Sequence, residues 1–187
     1  MGVKFKSSKF ATYSQYIAAP LIIGIFFYYL RIFLMGGPLI EDELFYLPFW
    51  FWATIVVVIN FVKLRYVKVS ENNISMNSLA GEEILLYKDI EWINQNIFGS
   101  NWYIITIKYK DSKTGKSKMV FVFPEMYTSK ESLSFYKELN MTKYIREQII
   151  KENPSYMIEN EPSRWYLTKW VFLSFLPFMI LSFLLIK

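Results

Sequence analysis

Three long apolar stretches, residues 16–35, 45–62 and 170–186, constrain this chain more than any other feature. The first carries one charge, Arg31, and the other two carry none. A helix needs about 20 predominantly apolar residues to cross a hydrocarbon layer of roughly 30 Å. Aromatic residues sit near the ends of all three: Tyr13 and Tyr16, Phe45 and Tyr46, Trp165 and Trp170. Tyr and Trp favour the membrane–water boundary. The rest of a chain of 187 residues could not cover three such helices as a soluble core. The expectation is a membrane protein with transmembrane helices at 16–36, 45–63 and 165–186. The first is expected to be a retained anchor, because it is longer than a signal-peptide core and no small-x-small site follows it.

Charge predicts the orientation. Lys4, Lys6 and Lys9 precede the first stretch, Lys63, Arg65 and Lys68 follow the second, and Arg164 and Lys169 lead into the third. Between the first two lie Glu41, Asp42 and Glu43 without a base. Lys and Arg stay on the cytoplasmic side. This places a tail (1–15), a central domain (64–153) and a linker (154–164) in the cytoplasm. It places a short acidic loop (37–44) and the C-terminus outside a cytoplasmic (inner) membrane. The net charge of +5 is largely juxtamembrane, so it points to anionic lipid and not to nucleic acid.

The chain has no Cys and no His. The commonest nucleophile, general base and metal ligands are therefore missing. The acidic pairs Glu82-Glu83 and Asp89/Glu91 lack the further oxygen ligands a cation site needs, and read as solvated surface. No glycine-rich phosphate loop is present. No cofactor, metal or catalytic residue is expected, and the chain reads as a non-enzyme.

Between the second and third stretches the pattern turns to short alternating runs. Strands are predicted at 64–70, 74–79, 83–87, 90–97, 102–110 and 117–123, separated by turn residues such as Glu71-Asn72-Asn73 and Ala80-Gly81-Glu82. A helix is predicted from Thr128, with Thr128 and Glu131 as a capping box, to Pro154. Successive antiparallel strands and one helix predict a small barrel or curled sheet plugged by that helix.

The run Asn73-Ile74-Ser75-Met76-Asn77-Ser78, then Gly81, then Ile84-Leu85-Leu86-Tyr87-Lys88-Asp89-Ile90 resembles bacterial pleckstrin-homology-like (PH-like) domains. The resemblance covers about residues 64–152. It implies a β-barrel closed by one C-terminal helix; six strands are predicted where that fold has seven. It does not carry over a phosphoinositide site, because the first turn, Glu71-Asn72-Asn73, is acidic and polar. The expected fold class is thus three transmembrane α-helices plus a cytoplasmic α+β PH-like domain.

Two sets of residues stand out. Lys108, Lys110, Lys113, Lys116 and Lys118 cluster on one hairpin, joined through 111–116. The predicted register sets Lys110 opposite Lys116 and Lys108 opposite Lys118, with Ile107–Met119, Ile105–Phe121 and Tyr103–Phe123 on the core face. Opposed like charges suit contact with an anion. Arg31 and Asn60 are polar residues within apolar stretches; both suit interfacial anchoring, and both would line a path in a channel. Pro48 is expected at a helix start and Pro177 at a kink.

The expected function is docking of a protein partner or the lipid surface, as an accessory or scaffold subunit beside another membrane protein. The alternatives are an oligomeric transport or channel component, homo-oligomeric by necessity, and a small membrane immunity or stress protein.

Overall fold

The structure, a computed structural model, describes residues 2–35, 41–78, 81–98, 102–125 and 138–185. For residues 15, 41–46, 60, 61, 78, 97, 98, 102 and 185 it describes the backbone alone. The chain divides into two compact units, residues 1–12 with 63–167 and residues 13–62 with 168–187.

β-Branched and aromatic residues in alternation build the first unit. A four-stranded antiparallel sheet runs in the order β1 (Phe5–Lys6), β2 (Tyr66–Val69), β3 (Asn73–Ser78), β4 (Gly81–Leu86). A three-stranded antiparallel sheet follows, β5 (Ile90–Phe98), β6 (Trp102–Lys110), β7 (Ser117–Val122). The six strands predicted between 64 and 123 are present. A seventh, β1, comes from the segment expected to be a tail.

Residues 4–8 join the two sheets. The Ser7 N–H donates to the Val67 carbonyl (2.9 Å), and the Ser7 hydroxyl accepts the Val67 N–H (2.7 Å). Ser7 also bridges Pro124, and the Ser8 N–H donates to the Phe123 carbonyl at 2.8 Å. Phe5 packs on the core, its ring 5.4 Å from that of Tyr144. From the other side, Leu64 bridges Phe121, and the Arg65 N–H donates to the Phe121 carbonyl at 2.9 Å. The end of β7 is therefore held by the residues before the first apolar helix and by those after the second.

The core takes one face of each sheet. Val67, Val69, Ile74, Ile93, Ile105, Ile107 and Val122 are fully buried. Ile145 and Ile149 of α3 (Asn140–Glu152) pack against them, with Met141. Each such side chain contributes roughly 1.5–3 kcal/mol. The predicted capping box, Thr128 and Glu131, lies outside the described residues. The observed start of α3 is served by a neighbour instead: the Leu139 N–H donates to Gln95 Oε1 at 2.8 Å.

The linker is docked on this unit. Arg146 of α3 binds Glu161 through two hydrogen bonds (2.8 and 2.5 Å) and also pairs with Glu138. The Tyr156 hydroxyl donates to Glu161 at 2.5 Å and accepts the Ile93 N–H at 3.3 Å. Asn94 Nδ2 donates to the Ser163 carbonyl (2.9 Å), and Asn96 Oδ1 accepts the Leu167 N–H (3.2 Å). Asn96 thereby satisfies an N–H in the first turn of α4 (Tyr166–Leu185) that has no partner within its own helix.

The second unit consists of the long helices. α1 (Lys9–Leu34, 26 residues) starts seven residues before the first predicted span. Ser8 is the reason: its hydroxyl accepts the Ala11 N–H at 3.1 Å, an N-cap bond. α2 (Glu41–Lys63) already includes the three acidic residues expected in a loop, so Pro48 lies inside the helix and does not start it. Acidic residues suit a helix N-terminus because they oppose its dipole. Pro177 lies inside α4. The Phe26 ring lies 5.5 Å from that of Phe51, and Tyr29 stacks on Trp50 at 6.4 Å, which joins α1 to α2. Trp52 lies 4.8 Å from Phe175 and donates its indole N–H to Ser174 Oγ at 3.0 Å, which joins α2 to α4. α1 and residues 166–184 of α4 are each long and apolar enough to cross a membrane; the described apolar part of α2, Leu47–Ile59, is shorter.

The Ser7 hydroxyl predicts a stability effect. Ser7 is buried, and Ser7→Ala would strand the Val67 N–H. We expect a loss of roughly 1–3 kcal/mol, read by chemical denaturation of the whole chain in detergent. No change in the midpoint would mean that residues 4–8 do not hold the two sheets together.

Candidate functional site

The lysine-rich hairpin is formed by β6 and β7, and its register differs by one residue from the predicted one. Lys110 faces Ser117, Tyr109 faces Lys118, Lys108 faces Met119 and Ile107 faces Val120. A one-residue slip turns every side chain of a strand to the opposite face. Val120 and Val122 therefore enter the core, where Met119 and Phe121 were expected. Phe121 is buried on the other face, with the Lys63 ammonium 5.7 Å from its ring.

Asp111 sets this register. Its carboxylate accepts the Lys113 N–H (3.0 Å) and the Thr114 hydroxyl (2.7 Å), and meets the Lys118 ammonium at 2.9 Å. Its own N–H donates to the Lys116 carbonyl, and its carbonyl accepts the Gly115 N–H. Gly115 has φ +65°, a left-handed conformation that costs glycine little. The loop is thus four residues long, closed by Asp111 opposite Lys116. An Asp that bonds the backbone two residues ahead is a standard turn nucleus.

The corrected register removes the predicted opposition of like charges. Lys108 pairs with Glu91 at 2.8 Å, and the Ser117 hydroxyl also bonds that carboxylate. Lys118 belongs to Asp111. The remaining three lysines, Lys110, Lys113 and Lys116, are exposed and make no ion pair with a described residue. The five predicted contact residues therefore separate into two structural cations and three exposed ones at the tip.

The bonds from Lys118, Thr114 and the Lys113 N–H hold the Asp111 carboxyl well below the usual range. The Lys118 ammonium is correspondingly pushed up. Hydrogen bonds from Lys108 and Ser117 lower the Glu91 carboxyl. A carboxyl lowered by folding stabilises the fold above its unfolded pKa of about 3.9, and that stability goes as pH falls through the folded value.

Glu82 and Glu83 are likewise engaged. Glu83 accepts the Tyr109 hydroxyl at 3.3 Å, and the buried Tyr109 phenol is raised to about 12 by burial and by that carboxylate. Glu82 accepts the Ser75 hydroxyl. Arg31 is exposed in the last turn of α1, and the Asn60 side chain lies outside the described residues. The structure does not bring Arg31 together with the hairpin lysines in one unit.

Asp111, Asn94, Asn96, Gln95 and Arg146 were not singled out by sequence. Asp111 carried a usable signal: an acidic residue four positions before a glycine, between two strands. Comparison with protein-family models, curated proteins and solved structures gives no match for this chain.

The turn predicts a pH response. In NMR titration the Lys113 and Thr114 amides should report a midpoint well below 3.9, with the tip still ordered at pH 4. Asp111→Asn should abolish that titration and loosen the tip. A midpoint at or above 3.9 would show that Asp111 does not organise the hairpin.

Proposed function

We propose that this chain is a membrane-anchored docking protein whose lysine-rich hairpin tip binds an acidic protein partner, as a non-enzymatic accessory subunit of a membrane assembly. The carrying observation is the tip itself. Lys110, Lys113 and Lys116 are exposed in and beside the loop that Asp111 fixes, while their neighbours Lys108 and Lys118 are already neutralised. A fixed cluster of exposed cations holds its charge pattern without a partner, so little ordering entropy is lost on binding.

Membrane anchoring is supported by the exposure of the apolar helices. Phe27, Leu34, Phe172 and Leu184 are each about 60% exposed or more (59, 73, 69 and 62%). Only 6% of the apolar window of α1, and of that of α4, is buried. Helices from a soluble core would be covered. Arg31, exposed in the last turn of α1, fits anchoring at a boundary better than lining a path.

The division into four and three strands followed by one helix is what a PH-like fold implies, and it supports that reading of residues 64–152 with β1. With the positive residues inside, this unit is cytoplasmic.

A protein partner is the occupant this reading commits to. The tip lies at the end of β7 opposite Phe121 and Phe123, where residues 4–8 and 64–65 are held.

Recovery of the tagged chain in mild detergent should bring a stoichiometric acidic partner. Changing Lys110, Lys113 and Lys116 together to Glu should weaken that association roughly tenfold or more, and raised salt should do the same. Unchanged recovery with the triple variant would overturn the proposal.

A further inference from the structure

Lys6 and Lys68 face each other directly across β1 and β2. The neighbouring pair, Ser7 and Val67, is joined by the Ser7 N–H bond to the Val67 carbonyl. Pairs alternate along an antiparallel ladder, so Lys6/Lys68 is the non-hydrogen-bonded pair, with Cα atoms about 4.5 Å apart and the closest side chains. Phe5, Val67 and Val69 turn inward, so both lysines stand on the outer face of the sheet. Like charges in this position destabilise a sheet. A strand of two residues spends half its length on such a pair.

No described residue neutralises them. Lys4, on the same face, is taken by Glu71 at 3.3 Å. Glu82, on that face two strands from Lys68, accepts the Ser75 hydroxyl and makes no ion pair with either lysine. Lys9 adds a third cation: its ammonium lies 5.6 Å from the ring of Tyr66, which shares the outer face with Lys68. Two residues after Lys6, the Ser8 cap opens the apolar helix α1.

We propose that Lys6 and Lys68, with Lys9 beside them, bind the phosphate of an anionic lipid headgroup at the root of α1. This rests on the reading of α1 as a membrane anchor and is separate from the hairpin tip. One phosphate oxygen pair accepts from both ammonium groups and turns a repulsive strand pair into a bridged one. Lipid binding thus strengthens the closure of β1 onto β2, a pairing the chain already makes through Ser7 and Val67.

The test is the melting midpoint of the full chain in nanodiscs of zwitterionic lipid, with and without about one third phosphatidylglycerol. The wild type should gain roughly 2–6 °C from the anionic lipid. Lys6→Gln with Lys68→Gln should lose that gain. Lys68→Glu should form an internal ion pair with Lys6, melt above the wild type in zwitterionic discs, and gain nothing further from phosphatidylglycerol. The distant Lys151→Gln should keep the whole gain. The proposal is overturned if the double Gln variant keeps the gain, if Lys68→Glu melts below wild type in zwitterionic discs, or if inorganic phosphate alone reproduces the effect. Failure of the chain to enter any disc would instead overturn the membrane reading, and this proposal with it.

Discussion

The pairing of residues 4–8 with β2 and with the end of β7 is the interaction on which the rest of the folded unit depends. It supplies the strand that borders one sheet and the bridge that reaches the other. Without it, the inner faces of Val67 and Val69 would lose the cover given by Phe5, and the Val67 N–H and carbonyl would lose Ser7. The domain is therefore discontinuous in sequence. α1 and α2 form an insertion between its first and second strands. Such an insertion is tolerated when its two ends lie close together in the host. Here both ends meet on β7, at Phe123 before α1 and Phe121 after α2. If α1 and α2 span a membrane, this pairing puts residues 4–8 and strands β2 to β7 on the same side of it.

Polar residues of the sheets serve the helices that enter and leave them. Ser8 caps α1, Gln95 takes the Leu139 N–H before α3, and Asn96 takes the Leu167 N–H in α4. Asn96 also donates to Thr106 Oγ1 at 2.7 Å, so its amide is used on both sides. Arg146, with Glu161 and Glu138, fixes the segment between α3 and α4. Removing one member of such a half-buried group would leave charge unpaired, a costly state. α1, α3 and α4 thus each begin at a fixed point of the folded unit.

Much of this was legible in the sequence, and the reasons for the rest are local. The apolar stretches and the six central strands were readable because periodicity runs over many residues. β1 was not, since two residues carry no period. The start of α1 was missed because apolar content was the guide there, whereas the helix begins at the Ser8 cap in polar sequence. The β6–β7 register failed by one residue because Asp111 was counted as loop filler, when its carboxylate is the centre of the turn. Asn94 and Asn96 alternate as a solvent-facing strand would. They are buried because residues 163–167 cover them, which no local pattern reveals.

The absence of cysteine allows a direct test of the β1–β2 pairing. Lys6→Cys with Lys68→Cys places two thiols on directly opposed positions, within disulfide reach. Lys6→Cys with Ser75→Cys places them a further strand apart, about 10 Å, beyond that reach. Under mild oxidation of the whole chain, near-complete intramolecular cross-linking of the first pair and little of the second is the expected result. Equal or absent cross-linking in both would contradict the claim that the N-terminal strand completes the domain.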